Sequence, residues 1–287
     1  MKAKVIALLN EKGGVGKSTT AATTAYLLAK GGKKVLLIDL DGQGHASLLC
    51  GVQNINQLKE TTASLLNCII RGEKLPKAES FLLRHKGVDL IPSNSQLFAL
   101  ERNLANVDFR ETKLRELTEQ FREAYEYILI DCMPNGGAAQ INAMLSADEL
   151  VIPTQAEVFS TVGLAQLSHH IALIQKNTGH PLKIAGVLIT MYDRRTSLTR
   201  EVCEMLMDEY IEKISDEELA SITRDYLLGS LCSIRLSDSA KGIHTVNYPL
   251  RGWSCLKTIF LRFETAPCIF LDFPSASHYN KEDNTNP

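Results

Sequence analysis

Two lysines and three glycines near the start of the chain form a pattern that is suited to holding phosphate groups. Residues 10–19 read NEKGGVGKST, and glycine allows the backbone to turn tightly and to approach a ligand closely. Lys17 would reach the terminal phosphates of a nucleotide, and the hydroxyl of Ser18 would take one position on a magnesium ion. The segment is therefore predicted to bind a nucleotide together with Mg²⁺.

The residues on either side of this loop support the prediction. The apolar run 5–9 precedes the loop and the helix-like segment 18–30 follows it, so that strand, turn and helix come in the required order. The partial positive charge of a helix N-terminus favours a bound phosphate. The alternative is a glycine-rich turn without a ligand. The residues predicted to contact the nucleotide are Glu11, Lys12, Gly13, Gly14, Val15, Gly16, Lys17, Ser18 and Thr19.

Three aspartates at the ends of apolar runs could complete such a site. Asp39 and Asp41 end the run 34–41 and alternate, so they point to the same side at the carboxyl edge of a strand, where ligands bind in open α/β sheets. Asp131 ends the apolar run 127–131. An acid that positions magnesium in a phosphate-transferring site commonly has this place at the end of a strand. An aspartate in such a place can also simply cap the next turn. The neighbouring Cys132 is predicted to be a packed residue.

The loop departs from the general phosphate-binding pattern at two positions. Glu11 stands where that pattern has glycine, and Lys12 adds a second cation. The resulting K-G-G-x-G-K-[ST] form resembles the deviant Walker ATPases of the ParA/MinD family, and most closely their ParA (Soj-like) branch. The resemblance implies a P-loop α/β fold, in which helices flank a mainly parallel, twisted sheet. It also implies an ATP-bound homodimer in which Lys12 crosses to the phosphates of the facing subunit, although Lys12 could instead be a solvated loop lysine.

The same resemblance implies roles for the acids. Residues 39–44 are similar to the family segment D-x-D-P-Q-G, in which the second acid helps to position the attacking water and the first lies near the metal. Gly42 replaces the family proline, which predicts a looser loop. Slow, Mg²⁺-dependent hydrolysis of ATP is therefore expected. The predicted catalytic residues are Lys12, Lys17 and Asp41, and the predicted metal-site residues are Ser18, Asp39 and Asp131.

Binding to DNA would require a local basic surface, because the chain has a net charge of −2. Between positions 224 and 263 there are six Lys or Arg residues and two acids. Arg195 and Arg235 match two arginines with which the ParA branch contacts DNA, although either could be an ordinary surface charge. The resemblance further implies nonspecific DNA binding, a ParB-type partner that stimulates hydrolysis, and association with the nucleoid.

Composition and length predict a single enzyme-like unit, and the resemblance to the ParA branch implies that residues 1–250 form one ATPase domain. The chain has 287 residues, of which 45% are hydrophobic, enough for a substantial core. Seven cysteines without a CxxC pair are typical of a reducing compartment, and no export signal or membrane-spanning segment is evident, so a cytoplasmic location is expected. Residues 251–287 form a divergent C-terminal extension, of which 278–287 are predicted to be disordered.

The predicted elements alternate between strands and helices, which favours a mainly parallel sheet. Segment 255–263 could be a strand or a short helix, because its periodicity does not decide between them. The adjacent His169 and His170 are expected to be structural or solvent-facing. Strands are predicted at 5–9, 34–41, 88–92, 127–131, 150–153 and 184–190, and helices at 18–30, 112–123 and 161–176.

Two other classes of function would require features that differ from those of this sequence. A MinD-like ATPase would act at a membrane through a basic amphipathic C-terminal helix, which the polar end of this chain does not resemble. A metabolic P-loop enzyme would need a region for its acceptor, and a metal-cluster scaffold ATPase normally has a CxxC pair. Only four residues precede the first predicted strand, so no helix-turn-helix domain is expected ahead of it.

Overall fold

The computed structural model describes residues 2–104, 107–134, 137–192, 201–202, 255–262 and 273–274. The chain divides into two compact units, one formed by Met1–Thr154 and Val158–Val187 and the other by Gln155–Glu157 and Leu188–Pro287. The predicted domain boundary at residue 250 lies outside the described residues.

The first unit is built on a mainly parallel sheet, which confirms the predicted fold class. Its strand order is β3-β4-β2-β5-β1-β6-β7; β1 pairs in parallel with β5 and β6, and β2 with β4 and β5, whereas β3 is antiparallel to β4. This register places Asp39 opposite Asp131 on adjacent strands. The strands are β1 (Lys4–Leu8), β2 (Val35–Leu40), β3 (Leu83–His85), β4 (Val88–Ile91), β5 (Tyr127–Cys132), β6 (Glu149–Gln155) and β7 (Lys183–Tyr192).

Helices connect the successive parallel strands of the sheet. The helix that follows the phosphate-binding loop begins after Gly16 and ends before Gly31. The helix that follows Thr61 begins with a reciprocal capping box between Thr61 and Ser64. The helices are α1 (Lys17–Lys30), α2 (His45–Leu49), α3 (Thr62–Arg71), α4 (Ala78–Phe81), α5 (Gln96–Leu104), α6 (Lys113–Glu119), α7 (Ala138–Ser146) and α8 (Val158–Thr178).

The core lies between the central strands and α1. All six residues of β2 are buried, as expected for a parallel strand that is covered on both faces. Ala21 and Ala25, one helical turn apart on α1, pack in the same buried cluster as Leu37 and Leu129. Their small side chains allow the helix to lie close to the sheet, which fixes the position of the loop before the helix.

A buried arginine fastens the beginning of β1. The guanidinium of Arg122 donates two hydrogen bonds to Asp148, at 2.9 and 3.0 Å, and one to the carbonyl of Ala3 at 3.0 Å. The carboxylate of Asp148 also accepts a hydrogen bond from the amide of Val5 at 2.8 Å. Such a bidentate pair gives directional as well as electrostatic stabilisation. Three segments that are distant in sequence therefore meet at one carboxylate.

One predicted helix is shorter in the structure, and one segment that the sequence left undecided is a strand. The helix predicted over residues 112–123 ends at Glu119, because the next residues form tighter turns in which the amides of Gln120, Phe121 and Ala124 each bond to a carbonyl three residues earlier. The undecided segment 255–263 contains a strand, β8 (Cys255–Arg262), which pairs antiparallel with β9 (Phe273–Pro274) in the second unit.

None of the helices among the described residues combines sufficient length with sufficient apolar character to cross a bilayer.

Candidate nucleotide site

The predicted phosphate-binding loop is a glycine turn at the carboxyl end of β1. Gly14 and Gly16 have φ angles of +75° and +84°, a backbone conformation that glycine adopts without strain. A Cβ atom added to Gly14 would have no described atom within 4 Å. Gly14 is thus required by the backbone and not by packing, and its open side is available to a ligand.

Lys17 lies inside this loop, not on its surface. The residue is only 6% exposed, and its ammonium donates a 2.8 Å hydrogen bond to the carbonyl of Lys12. Burial lowers the pKa of Lys17, whereas the nearby carboxylates of Asp131 and Asp41 act in the opposite direction. The lysine and these acids, which come from three separate strand ends, therefore face the same space.

Asp131 is the least satisfied polar group of the site. Its side chain is fully buried, and neither carboxylate oxygen has a hydrogen-bond partner of good geometry among the residues that the structure describes. Burial raises its pKa well above the usual range, as do the charges of Asp39 and Asp41, whereas the Ser18 hydroxyl is close enough to lower it. A buried carboxylate without a partner is costly unless a cation pairs with it.

The donor set of Asp131 and Ser18 fits magnesium. Mg²⁺ prefers oxygen ligands, and it is usually bound through one or two protein groups together with phosphates and waters. The orphaned carboxylate beside a hydroxyl and a phosphate-binding loop provides such groups. When bound, magnesium would neutralise charge on the phosphate oxygens, and Ser18 and Asp131 are the residues that would hold it.

Asp39 is placed beside Asp131, but its oxygens are already occupied. One oxygen accepts hydrogen bonds from the amide and hydroxyl of Ser47, at 2.8 and 2.6 Å, and the other accepts one from the amide of Asp41 at 3.1 Å. Burial raises the pKa of Asp39 to about 6 even though these hydrogen bonds oppose the shift. These hydrogen bonds take three of the about four acceptor positions of the carboxylate, and the geometry favours a role in holding the loop that follows β2. Its assignment as a metal-site residue stays a prediction.

Asp41 begins that loop, and residues 41–44 are called the Asp41 loop below. The carboxylate of Asp41 accepts a 2.9 Å hydrogen bond from the amide of Gln43, and its carbonyl accepts one from the amide of Gly44 at 2.9 Å. The side chain is nearly buried and contributes to the field at Lys17 and Asp131. Its predicted place near the phosphates is therefore compatible with the observed turn.

The expectation of a loose Asp41 loop is not met. Gly42 is buried, and the space that a side chain there would need is filled by the ring of Phe98. The proline of the family pattern is thus replaced by a close contact with a neighbouring helix.

Sequence reasoning missed the residues that support this loop. The hydroxyl of Ser47 donates to Asp39 and accepts a hydrogen bond from the amide of Ser93 at 3.0 Å. The hydroxyl of Thr62 donates to the carbonyl of Asp39 at 2.7 Å. Single hydroxyl residues have no spacing signature, and the only available signal was a polar residue at a buried helix position.

Lys12 and Glu11 lie on the outer side of the phosphate-binding loop. The Lys12 side chain is exposed, and its amide donates to the side chain of Asn10 at 2.9 Å. Glu11 lies 3.2 Å from the ring of His170, which is half exposed. Lys12 is therefore positioned so that a second molecule could be reached, although its predicted crossing to another subunit stays a prediction.

The structure thus brings Lys17, Ser18, Asp39, Asp41 and Asp131 to one edge of the sheet. Arg195 and Arg235, the two predicted DNA contacts, lie outside the described residues.

Comparison with known proteins supports the same assignment. The family model described as an AAA domain matches residues 3–184. The sporulation initiation inhibitor protein Soj of Bacillus subtilis (strain 168) is 36% identical over 211 residues, which cover 74% of this chain and 81% of Soj. The chromosome partitioning protein ParA of Caulobacter vibrioides (strain NA1000 / CB15N) is 36% identical over 74% of this chain and 79% of its own length.

A solved structure shares the fold. The structure of cobyrinic acid a,c-diamide synthase from Mycobacterium smegmatis, with a bound ATP analogue and magnesium, superposes with a TM-score of 0.66. It is 31% identical and covers 72% of this chain and 83% of that protein. Taken with the matches to Soj and ParA, these findings show that the chain belongs to the ParA/MinD family of P-loop ATPases.

Proposed function

We propose that this protein is a ParA-type partition ATPase. In this proposal it binds ATP with Mg²⁺, dimerises, binds DNA without sequence preference, and is released when a ParB-type partner stimulates hydrolysis. The observation that carries the proposal is the buried, unpaired carboxylate of Asp131, which lies beside Ser18 and faces Lys17. The similarity to Soj and ParA supports the cellular role.

Nucleotide binding would use the contacts that the loop now makes with itself. Lys17 donates to the carbonyl of Lys12, and an anionic phosphate oxygen is a stronger acceptor than a neutral carbonyl. The lysine is therefore expected to transfer its hydrogen bond to the phosphates. The open side of Gly14 allows the backbone amides to approach the same groups.

Hydrolysis needs a water molecule in line with the terminal phosphate, and Asp41 is the residue that would orient it. Its carboxylate is held at the start of a short turn by the Gln43 amide. A water-orienting residue contributes mainly by positioning the nucleophile in phosphoryl transfer. Slow basal turnover is expected, because the rate would depend on a partner that completes or stabilises this arrangement.

Lys12 is proposed to act across a dimer interface. It is exposed on the phosphate-binding loop, so its ammonium can reach the nucleotide of a facing subunit. ATP would then join two subunits, since each nucleotide would be contacted by both.

Replacing Asp41 with alanine should separate binding from hydrolysis. We expect ATP affinity to stay within about threefold of wild type and kcat to fall by at least about 100-fold, since the variant loses a group that acts mainly on the transition state. The variant should also accumulate as an ATP-bound dimer on size-exclusion chromatography. The matched control is Asp108→Ala, which removes an exposed aspartate. A variant that remains monomeric with ATP, or that hydrolyses ATP normally, would contradict the role of Asp41.

Charge reversal at Arg195 and Arg235 should weaken DNA binding. We expect the double variant Arg195→Glu, Arg235→Glu to lose at least about tenfold in affinity for nonspecific duplex DNA in the presence of ATP. The slope of log affinity against log salt should fall by about 2, one for each lost phosphate contact. The control is Lys30→Glu, Arg71→Glu, which reverses two exposed charges elsewhere. Retardation of DNA equal to that of wild type would show that these arginines are not the contact surface.

The similarity to a cobyrinic acid a,c-diamide synthase favours a second candidate, an ATP-dependent amide synthase. Such an enzyme would couple ATP cleavage to an acceptor, whereas a partition ATPase would be stimulated by DNA and a protein partner. ATP turnover measured with and without nonspecific DNA distinguishes them. Cosedimentation with anionic liposomes, with and without ATP, tests the MinD-like alternative.

A further inference from the structure

The ring of Phe98 packs directly against Gly42 of the Asp41 loop. A Cβ atom built on Gly42 would lie 2.6 Å from two carbon atoms of the Phe98 ring and 2.8 Å from a third. Non-bonded carbon atoms pack best at about 3.5–4.0 Å. Position 42 therefore cannot carry a side chain unless the ring or the loop moves.

The backbone of Gly42 does not itself require glycine. Gly44, two residues later, has a φ of +64°, but Gly42 is not among the glycines with positive φ. The need for glycine at position 42 is thus steric, and the ring of Phe98 is its cause. Phenylalanine at position 98 fills the space that only glycine at position 42 leaves open.

Phe98 reaches the loop from a separate element. It lies on α5, which follows β4 in the chain, and no residue of this helix is predicted to bind the nucleotide. The hydrogen bonds from the amides of Gln43 and Gly44 to Asp41 shape the turn from within. The aromatic ring covers the same turn from outside, on the residue that directly follows Asp41.

We propose that Phe98 is a positioning residue for ATP hydrolysis, because its ring packs on Gly42 and holds the Asp41 carboxylate in the orientation that the attacking water requires. This inference rests on the proposed function, which assigns Asp41 to that water. Phe98 acts through the loop and makes no contact with the phosphates in this role. Loss of the ring therefore lowers kcat and leaves the KM for ATP unchanged.

The expected results form a double-mutant cycle. Phe98→Ala empties the space over the loop, and Gly42→Ala places a methyl group against the ring, so each variant lowers kcat by about tenfold or more, since a displacement of about 1 Å can cost about 100-fold. The KM for ATP stays within about twofold in both. In Gly42→Ala, Phe98→Ala the methyl group enters the vacated space, and kcat recovers above that of either single variant. Phe98→Leu keeps an apolar contact and retains most of the activity.

Two matched controls separate this contact from general effects of the substitutions. Phe109→Ala removes a phenyl ring that is 80% exposed, and Gly163→Ala adds a methyl group with no described atom within 4 Å. Both controls keep wild-type kcat. Thermal melting of the four members of the cycle reports the packing independently of catalysis, and Tm values that are non-additive in the same sense support a direct contact.

The outcomes separate this inference from the proposed function. Wild-type kcat in Phe98→Ala, or losses that simply multiply in the double variant, overturn the positioning role while ATP hydrolysis stands. A wild-type protein that does not hydrolyse ATP, or whose rate is insensitive to Asp41→Ala, overturns the proposed function and the positioning role with it. A raised KM for ATP with an unchanged kcat in the single variants would show that Phe98 acts on nucleotide binding, which also overturns it.

Discussion

We expect the Asp131→Asn variant to be more stable than wild type when no nucleotide is present, and inactive when ATP and Mg²⁺ are supplied. The wild-type carboxylate is buried without a good hydrogen-bond partner among the described residues and lies beside Asp39. An unsatisfied buried acceptor costs about 1–3 kcal/mol, and more when it is charged. A neutral amide removes the charge, so the free energy of unfolding should rise by about 1–3 kcal/mol.

The gain should depend on pH in a defined direction. The folded-state pKa of Asp131 lies well above its usual range, so the folded protein holds the proton more tightly than the unfolded chain does. Below about pH 4 the carboxyl is protonated in both states, and the variant should match wild type. As the pH rises, wild type loses this contribution and the variant does not, so the difference in stability grows towards neutral pH.

Asp39 should add to the same trend in both proteins. Its folded-state pKa is raised to about 6, so its contribution to stability is present below its ordinary pKa and is lost as the pH rises through about 6. Because the charges of Asp39 and Asp131 oppose each other's ionisation, asparagine at position 131 also eases the ionisation of Asp39, which adds to the difference between the variant and wild type.

Thermal melting from pH 4 to pH 8, with and without Mg²⁺ and ATP, tests this prediction. The order of stability should reverse when the ligands are added, since they stabilise only a protein that binds them. Asp108→Asn, at an exposed position, is the control. A variant that melts below wild type at neutral pH without ligands would show that Asp131 has partners that the described residues do not reveal.

Replacing Lys17 with alanine should abolish ATP binding. The ammonium is buried in the loop and faces the acids, so its removal leaves the phosphate charge uncompensated. Truncating one partner of a buried, hydrogen-bonded charge pair costs about 2–5 kcal/mol, which corresponds to a loss of about 30-fold to several thousand-fold in affinity.

Equilibrium binding of a fluorescent ATP analogue measures this loss. Lys30→Ala, which removes an exposed lysine at the other end of α1, is the control and should bind normally. Lys12→Ala should keep most of the affinity of the monomer but lose ATP-dependent dimerisation. Affinity within threefold of wild type in Lys17→Ala would contradict its assignment to the phosphates.

The sequence was sufficient to predict the parts of the site that depend on local patterns. The apolar runs before Asp39 and Asp131 predicted strands, and the glycines before Lys17 predicted a turn, because these patterns follow directly from burial and backbone conformation. The parallel order of the strands then brings these residues to one edge. The match to the ParA branch added the proposed roles of Lys12 and Asp41, which no physical pattern provides.

The supports of the site could not be predicted in the same way. Ser47, Thr62 and Phe98 come from separate elements and reach the loops after β2 only when the chain is folded. Gly42 illustrates the difficulty. The absence of the family proline predicted a looser Asp41 loop, whereas in the structure the ring of Phe98 packs against Gly42. Such contacts depend on pairs of distant residues, which a single sequence does not identify.

The central place of β1 in the sheet has a consequence for how the protein is made. Both neighbours of this strand are synthesised much later: Val5 pairs with Ile128 in β5, and its amide bonds to Asp148 just before β6. On the ribosome, this apolar strand must therefore wait for β5 and β6 to be synthesised before its edges are covered. Long-range parallel pairing folds slowly, and unpaired apolar strands are prone to aggregation. The segment that is proposed to bind the nucleotide is thus translated well before the strands that secure it.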